Sequence, residues 1–268
     1  MKKVLFKGCG TALITPFTND GVDFEELRKL IEFQILEGID SLIICGTTGE
    51  SSTMSLEEKK SVIEFSIKIA NGKVPIIAGT GGNNTKEVIS LSKYAESVGA
   101  DGLLLVTPYY NKTTQNGLIA HFTEIAKSVS LPIILYNVPS RTGLNIEPET
   151  CLELSKIPNI VGIKEASGNI SQVAKIANLC QDNLAIYSGN DDQIVPILSL
   201  GGLGVISVLS NIYPKYVHDL VMDYLTGNWQ KATASQVYAI PLINALFSEV
   251  NPIPIKYAVN KIGFKAGL

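Results

Sequence analysis

Short apolar runs alternate with longer amphipathic stretches along most of the chain. The apolar runs are rich in Val, Ile and Leu, and they have no polar face. Such runs are typical of parallel strands covered by helices on both sides. The predicted strands cover 9–15, 41–47, 74–79, 101–106, 131–138, a sixth run that ends at Lys164, 184–188 and 204–208.

The stretches between these runs carry helix-start signals. Asp23 is suited to cap a helix that runs to Glu37, and Ser55 with Glu58 forms a capping box. The same pattern recurs at Asn84 and Glu87. Further helices are predicted over about 85–98, 114–128, from about 147, 170–180, shortly after 191 and over 214–225, whereas Arg141 falls in a loop after the fifth strand.

About eight strand–helix repeats favour an α/β protein with a closed (β/α)8 TIM barrel, and an open doubly wound sheet is the alternative. Beyond Trp229 the pattern becomes wholly helical, with one break at Asn251-Pro252-Ile253-Pro254. We therefore predict a barrel catalytic domain over residues 1–227 and a C-terminal helical appendage over residues 228–268.

The amino-acid composition and charge of the chain argue against several classes of function. The 268 residues are 46% hydrophobic and carry a formal charge of −3, which gives no electrostatic case for a nucleic-acid or membrane partner. The start of the chain lacks the apolar core of a signal peptide, and no apolar run is long enough to span a bilayer. Four scattered cysteines and two distant histidines predict free thiols in the cytoplasm and no metal or other cofactor.

The chemically versatile side chains follow the predicted strands. Thr47 and Thr48 end the second strand, Tyr109 and Tyr110 the fourth, Tyr136 the fifth, Lys164 the sixth, and Ser188-Gly189 the seventh. In a barrel these residues meet at the C-terminal rim, where barrel enzymes build their active sites. Each of them alone is more often structural, so it is their convergence that indicates function.

Lys164 interrupts an apolar strand at its end. Burial disfavours the charged form of a lysine, so the neutral amine becomes available to attack a ketone and form an imine. Tyr and Thr hydroxyls both donate and accept protons, and they could serve as a relay. Arg141 could grip a carboxylate in bidentate fashion, although a lone loop arginine is more often a solvated surface group. Glu165 should face away from Lys164 because strand neighbours alternate.

Several motifs, which run in order from Gly8 to the last residue, resemble those of the dihydrodipicolinate synthase family. This family belongs to the pyruvate-dependent Schiff-base lyases, together with N-acetylneuraminate lyase. The motifs are Gly46-Thr47-Thr48-Gly49-Glu50, Thr107-Pro108-Tyr109-Tyr110-Asn111, Tyr136-Asn137-Val138-Pro139-Ser140-Arg141-Thr142-Gly143, Gly162-Ile163-Lys164-Glu165-Ala166 and Asn251-Pro252-Ile253-Pro254.

The resemblance implies a reaction and its participants. Pyruvate would form an imine with Lys164, and its enamine would attack L-aspartate 4-semialdehyde to give 4-hydroxy-tetrahydrodipicolinate, the first committed step of lysine and diaminopimelate biosynthesis. It further implies a proton relay of Tyr136, Thr47 and Tyr110. The substrate-binding residues that it implies are Thr48 for the pyruvate carboxylate, Gly189 and Ile206 for the pocket lining, and Arg141 for the semialdehyde carboxylate.

The resemblance also implies an assembly. Tyr110 would reach the site of a neighbouring subunit, so a homodimer would be the catalytic unit, and family members also form a homotetramer. Family members usually continue for about one helix, ~20 or more residues, past the position of Leu268. On this expectation the C-terminal segment is shorter than in the family, which bears on the tetramer more than on the active site.

Lysine-sensitive members of the family carry an effector pocket at the dimer interface, and four residues here match it: Ser51, Asn83, Glu87 and Tyr109. Leu56 and Lys59 stand where sensitive enzymes often have histidines. An apolar side chain and an added cation should both weaken binding of the effector's ammonium group. We therefore expect a degraded pocket with little inhibition by lysine.

Three other functions compete with this interpretation. A sialic-acid or 2-keto-3-deoxy-sugar-acid lyase would use the same imine, but its substrate needs hydroxyl partners where Arg141 stands. A phosphate-binding isomerase would use Gly201-Gly202-Leu203-Gly204, which precedes the eighth strand and so lies at the wrong end of the barrel. A non-catalytic ligand-binding barrel fails only if Lys164 reacts.

Overall fold

The computed structural model describes residues 2–267 and contains a closed barrel of eight parallel strands. The first strand pairs with both the second and the eighth, so the sheet has no open edge. The barrel prediction is confirmed, and the doubly wound sheet is excluded. The strands are Gly8–Ala12, Ser41–Ile44, Ile76–Gly79, Gly102–Val106, Ile133–Asn137, Ile160–Glu165, Ala185–Ser188 and Gly204–Ser207.

Most strands are shorter than predicted, and the local backbone explains why. The second strand stops at Ile44 because Cys45 adopts a left-handed conformation with φ 57°. The third starts at Ile76 rather than Val74, because Pro75 has no N–H and contributes only its carbonyl, which accepts from Leu42. The sequence analysis missed a small antiparallel hairpin of Phe17–Thr18 and Gly21–Val22.

Helices surround the barrel in the predicted order. They are Phe24–Leu36, Leu56–Ala70, Thr85–Ser97, Gln115–Ser128, Pro139–Thr142, Pro148–Ser155, Ile170–Cys180, Ile194–Ser199, Pro214–Leu225, Trp229–Leu246 and Ile253–Lys261. Short 3-10 turns cover Ser51–Thr53, Gln181–Asn183, Asp191–Gln193 and Leu209–Asn211. One prediction was wrong, because Arg141 lies in the one-turn helix Pro139–Thr142 and not in a loop; Pro139 favours this helix start.

The helix caps follow the sequence signals closely. Asp23 accepts a hydrogen bond from the backbone N–H of Glu26, and the capping box of Ser55 and Glu58 is complete. Asn84 caps the next helix, but Glu87 does not complete a second box. Its carboxylate accepts from the Asn84 side-chain amide at 2.8 Å instead of the backbone N–H.

Two apolar layers form the core. The barrel interior is filled by side chains from alternating strand positions, including Ile43, Ile77 and Ile206. At the N-terminal end the Phe6 ring stacks on Tyr187 with ring centres 4.5 Å apart, and the Tyr187 hydroxyl donates to the Phe6 carbonyl. The second, larger layer lies between the strands and the helices. The inner layer closes the bottom of the barrel, so the C-terminal rim is the open end.

The C-terminal helices pack onto the barrel. The Tyr216 hydroxyl donates to the carbonyl of Ser235 at 2.6 Å, and the buried Lys256 ammonium pairs with Glu50 at 2.8 Å. This ion pair joins the last helix to the loop that follows the second strand. The division into two domains after residue 227 stays a prediction. The predicted domains begin at Met1 and end at Leu268, and both of these residues lie outside the described part of the chain. In residues 2–267, no helix has both the length and the apolar character to cross a membrane.

Candidate active site

Lys164 points into the barrel from the sixth strand. The strand register aligns it with Tyr136 on one side and Tyr187 on the other, and both tyrosines belong to the interior cluster. Aligned residues of neighbouring parallel strands project to the same face. Lys164 is 5% exposed, and its Nζ lies 4.3 Å from the centre of the Tyr136 ring. The predicted lysine and tyrosine are therefore in direct contact.

The next residue, Glu165, faces outward as predicted. Its carboxylate accepts hydrogen bonds from Asn137 Nδ2 at 3.0 Å, Gln172 Nε2 at 3.2 Å and the backbone N–H of Ser167 at 2.7 Å. A buried carboxylate with three donors fixes its own backbone firmly. The network therefore holds the strand end that carries Lys164, and it keeps the Glu165 carboxylate turned away from the lysine amine.

The two residues predicted to line the pocket, Gly189 and Ile206, lie close to Lys164 and Tyr136. The Gly189 N–H donates to the Glu165 carbonyl at 2.8 Å, and a Cβ at Gly189 would lie only 3.1 Å from Lys164 Cε. Ile206 is fully buried in the interior cluster that contains Tyr136. The structure thus brings together Tyr136, Lys164, Gly189 and Ile206 at the upper end of the barrel interior.

A second set of contacts at the rim joins Thr48 and Arg141 through Asn251. Thr48 is 2% exposed, and its hydroxyl oxygen accepts a hydrogen bond from Asn251 Nδ2 at 3.0 Å. An Arg141 guanidinium N–H donates to the Asn251 main-chain carbonyl at 3.4 Å, although Arg141 as a whole is an exposed residue. Thr48 follows the second strand and Arg141 the fifth, so both stand at the C-terminal rim.

The two remaining relay candidates differ in their surroundings. Thr47 is half-buried at the rim, beside Thr48 in sequence. Tyr110 is 93% exposed and has φ 69°, which is a strained conformation for a tyrosine. Within the described chain this residue is not packed against the Lys164 cluster.

Three of the four predicted effector residues line one groove of about 440 Å³. Asn83, Glu87 and Tyr109 share it with Leu56 and Lys59, the two residues that depart from the pattern of sensitive enzymes. Asn83 Nδ2 also donates to the Tyr109 carbonyl at 3.1 Å. Ser51, the fourth, lies in the 3-10 turn Ser51–Thr53 and is not among the residues that line the groove.

Asp191 and Asn251 are site residues to which the sequence analysis gave no role. Asp191 is buried in the 3-10 turn after the seventh strand, and one carboxylate oxygen accepts from the backbone N–H groups of Val208 and Leu209, both at 3.0 Å. Burial raises the pKa of the Asp191 carboxyl above its ordinary value. Asn251 could have been noticed through its Asn-Pro-Ile-Pro motif, whereas no local pattern marks Asp191.

The candidate active site is built from side-chain amine, hydroxyl and guanidinium groups. Among residues 2–267, His, Cys, Asp and Glu side chains do not gather in any group of three that could hold a metal ion. The groups that the arrangement offers for chemistry are the Lys164 amine, the Tyr136 ring and hydroxyl, and the donors of Thr48 and Arg141.

A closed (β/α)8 barrel with a buried lysine beside a tyrosine at its C-terminal rim defines an aldolase-like class of protein. The comparisons specify the family. A family model described as the dihydrodipicolinate synthetase family matches residues 5–268. The chain belongs to this family.

Individual relatives agree with the family assignment. The chain is 61% identical over 264 residues to a 4-hydroxy-tetrahydrodipicolinate synthase of Caldicellulosiruptor saccharolyticus, covering 98% of this chain and 89% of the relative. It is 58% identical over the same length and coverage to that of Thermoanaerobacter sp.. The solved dihydrodipicolinate synthase of Aquifex aeolicus has a TM-score of 0.95 at 45% identity, covering 96% of this chain and 88% of its own.

Proposed function

We propose that this chain is a Schiff-base lyase that condenses pyruvate with L-aspartate 4-semialdehyde to give 4-hydroxy-tetrahydrodipicolinate. This is the first committed step of lysine and diaminopimelate biosynthesis. The observation that carries the proposal is the contact of the buried Lys164 amine with the Tyr136 ring at the rim of the barrel. Relatives that are about 58% identical over nearly the whole chain bear the name of this enzyme.

Lys164 acts as the nucleophile. Its neutral amine adds to the ketone of pyruvate and, with loss of water, forms an imine that withdraws electrons from the neighbouring methyl group. Loss of a proton from that methyl group gives an enamine, whose carbon attacks the aldehyde of the second substrate. The amino group of the semialdehyde then attacks the imine carbon, closes the ring and releases Lys164. No cofactor is needed for these steps.

Tyr136, Thr47 and Tyr110 relay the protons that these steps require. Tyr136 is supported by its contact with Lys164, and Thr47 by its place at the same rim. Tyr110 acts in the site of a partner subunit, which is supported by its 93% exposure and strained backbone. A homodimer is therefore the catalytic unit, and a tetramer of two such dimers is compatible with it.

The remaining predicted residues bind substrate. Thr48 holds the pyruvate carboxylate, the main chain at Gly189 and Ile206 lines the pocket, and Arg141 binds the carboxylate of the semialdehyde in bidentate fashion. The guanidinium of Arg141, an exposed residue at the rim, supports this assignment over a sugar-acid lyase, whose substrate offers hydroxyl groups at that end. Four buried free cysteines support a reducing compartment, the cytoplasm.

Borohydride reduction in the presence of pyruvate tests the proposal. Treatment should inactivate the protein and add one reduced pyruvyl group to the peptide that contains Lys164, as measured by mass spectrometry. Lys164→Ala should take up no label and should lose condensation activity. Lys256→Arg serves as the lysine control, because it keeps a cation at another buried lysine of the chain. Unlabelled Lys164 in the treated wild-type protein would refute the proposal.

Arg141→Ala separates the candidate substrates. Loss of the guanidinium should impair use of aspartate semialdehyde strongly and leave imine formation with pyruvate nearly unchanged. An equal loss in both steps would assign Arg141 a structural role. Cleavage of N-acetylneuraminate or a 2-keto-3-deoxy-sugar acid by the wild-type protein, without condensation, would favour the sugar-acid lyase.

A further inference from the structure

The C-terminal segment contacts two rim loops of the barrel at Asn251. Asn251 lies two residues before the last helix, Ile253–Lys261, and is 6% exposed. It contacts residues from two different barrel loops, because its side-chain amide donates to Thr48 and its main-chain carbonyl accepts from Arg141. The two groups that we assign to the two substrate carboxylates are thus tied to the same residue.

The contact with Thr48 decides which way the threonine hydroxyl can point. Its oxygen accepts the Asn251 N–H at 3.0 Å, and residues 2–267 offer no hydrogen bond in which this hydroxyl is the donor. A hydroxyl has one proton and two lone pairs, and its proton rotates to suit the neighbours. With one lone pair occupied by a donor, the proton is free to be donated to an incoming anion.

The segment that carries Asn251 is itself anchored. Five residues later, the buried ammonium of Lys256 pairs with Glu50 at 2.8 Å and lies 4.9 Å from the centre of the Phe17 ring. Glu50 belongs to the same loop as Thr48. The C-terminal segment is therefore bound to the Thr48 loop at two points, Asn251 and Lys256, which limits the movement of Asn251 relative to Thr48.

The geometry points to Asn251 as a positioning residue that orients the Thr48 hydroxyl for the carboxylate of pyruvate. This inference rests on the proposed function and adds a specific role for the C-terminal segment in it. Asn251 itself does not react, and its effect on pyruvate passes through Thr48. The carbonyl contact with Arg141 belongs to the main chain, so it survives a change of the Asn251 side chain.

Steady-state kinetics of Asn251→Ala with each substrate varied in turn tests the inference. The KM for pyruvate should rise by about five- to tenfold, the usual effect of losing one neutral hydrogen bond. The kcat and the KM for aspartate semialdehyde should each stay within about twofold, because the chemistry and the Arg141 contact are retained. The exposed Asn183, at the opposite end of the barrel, provides the matched control Asn183→Ala, which should change nothing.

Asn251→Asp sharpens the test at nearly constant volume. A carboxylate cannot donate to Thr48; it accepts the threonine proton and adds a negative charge near a carboxylate site. The KM for pyruvate should rise by on the order of 10²-fold, the scale of hydrogen bonds to charged groups. This variant also carries the test if Asn251→Ala does not fold.

A double variant shows whether the effect passes through Thr48. In a Thr48→Val background, Asn251→Ala should cause no further rise in the KM for pyruvate, because there is no hydroxyl left to orient. Additive losses, an unchanged pyruvate KM in Asn251→Ala, or equal changes for both substrates would overturn the inference. Wild-type protein that neither traps pyruvate nor condenses it would refute the proposed function as well.

Discussion

Gly189 is the position at which one added methyl group should disturb the Lys164 amine most directly. A Cβ there would lie 2.7 Å from Ala166 Cβ and 3.1 Å from Lys164 Cε. Carbon atoms pack at about 3.5–4.0 Å, so in Gly189→Ala the lysine side chain must retreat by roughly 0.4–0.9 Å. The backbone of Gly189 does not demand glycine, because its φ is not in the left-handed region. The substitution should therefore act through steric overlap and not through backbone strain.

The expected loss follows from that displacement. A misplacement of about 1 Å can cost ~10²-fold in rate, so kcat should fall between about tenfold and 10²-fold. The overpacking should lower the free energy of unfolding by about 1–3 kcal/mol. That leaves a folded protein in which imine formation is slow.

Two rates measured on the same preparation test this prediction. One is the condensation kcat, and the other is the rate at which borohydride traps pyruvate on Lys164. Gly82→Ala is the control, because a Cβ there meets only Val88 Cγ2 at an ordinary 3.4 Å. Urea denaturation confirms that both variants are folded under assay conditions. Wild-type kcat and trapping rate in folded Gly189→Ala would refute the argument.

Three further predictions concern the subunit partner, the buried carboxyl and the effector groove. Mixing inactive Tyr110→Phe and Lys164→Ala proteins under subunit exchange should restore part of the activity, and no recovery in verified mixed dimers would place Tyr110 in its own subunit's site. Because burial raises the folded-state pKa of Asp191, its favourable contribution is present below about pH 4, the ordinary carboxyl range, and is lost as pH rises through the raised pKa. The unfolding free energy of Asp191→Asn relative to wild type should therefore increase from pH 4 to pH 8 in urea titrations; a constant difference would contradict this. With Leu56 and Lys59 in the groove, calorimetry should find lysine binding weakened by roughly ten- to a hundredfold or more against sensitive enzymes, and tight binding with strong inhibition would be the contrary result.

Local pattern was sufficient to predict the barrel and most of its helices. The apolar runs that become the eight strands are buried on both faces, so they carry no alternation that a half-exposed strand would show. Helix caps such as Asp23 and Ser55 depend on contacts three residues away, and these are visible in the sequence. The strand ends were less predictable, because they depend on single φ angles such as that of Cys45.

The sequence by itself also determined which residues can do chemistry at the rim. Strand alternation predicted that Lys164 and Glu165 face opposite sides, and the order of strand ends predicted that Tyr136 and Lys164 share the rim; their direct alignment came from the strand register of the structure. Motifs shared with the family added roles for Thr47, Tyr110 and other residues, and these roles stay proposals. The chain order of the motifs sufficed for this part because four of the five motifs sit at the end of one strand each.

Only the tertiary structure decided which distant residues touch. Asn251 meets Thr48 across 203 positions of sequence, Lys256 meets Glu50 across 206, and Asp191 binds two backbone N–H groups of the next loop. No periodic pattern in the sequence predicts these contacts, because each depends on how the C-terminal helices and the rim loops are placed around the closed barrel. Hydrogen bonds and close packing act over a few ångströms in space, whereas sequence patterns report neighbours along the chain.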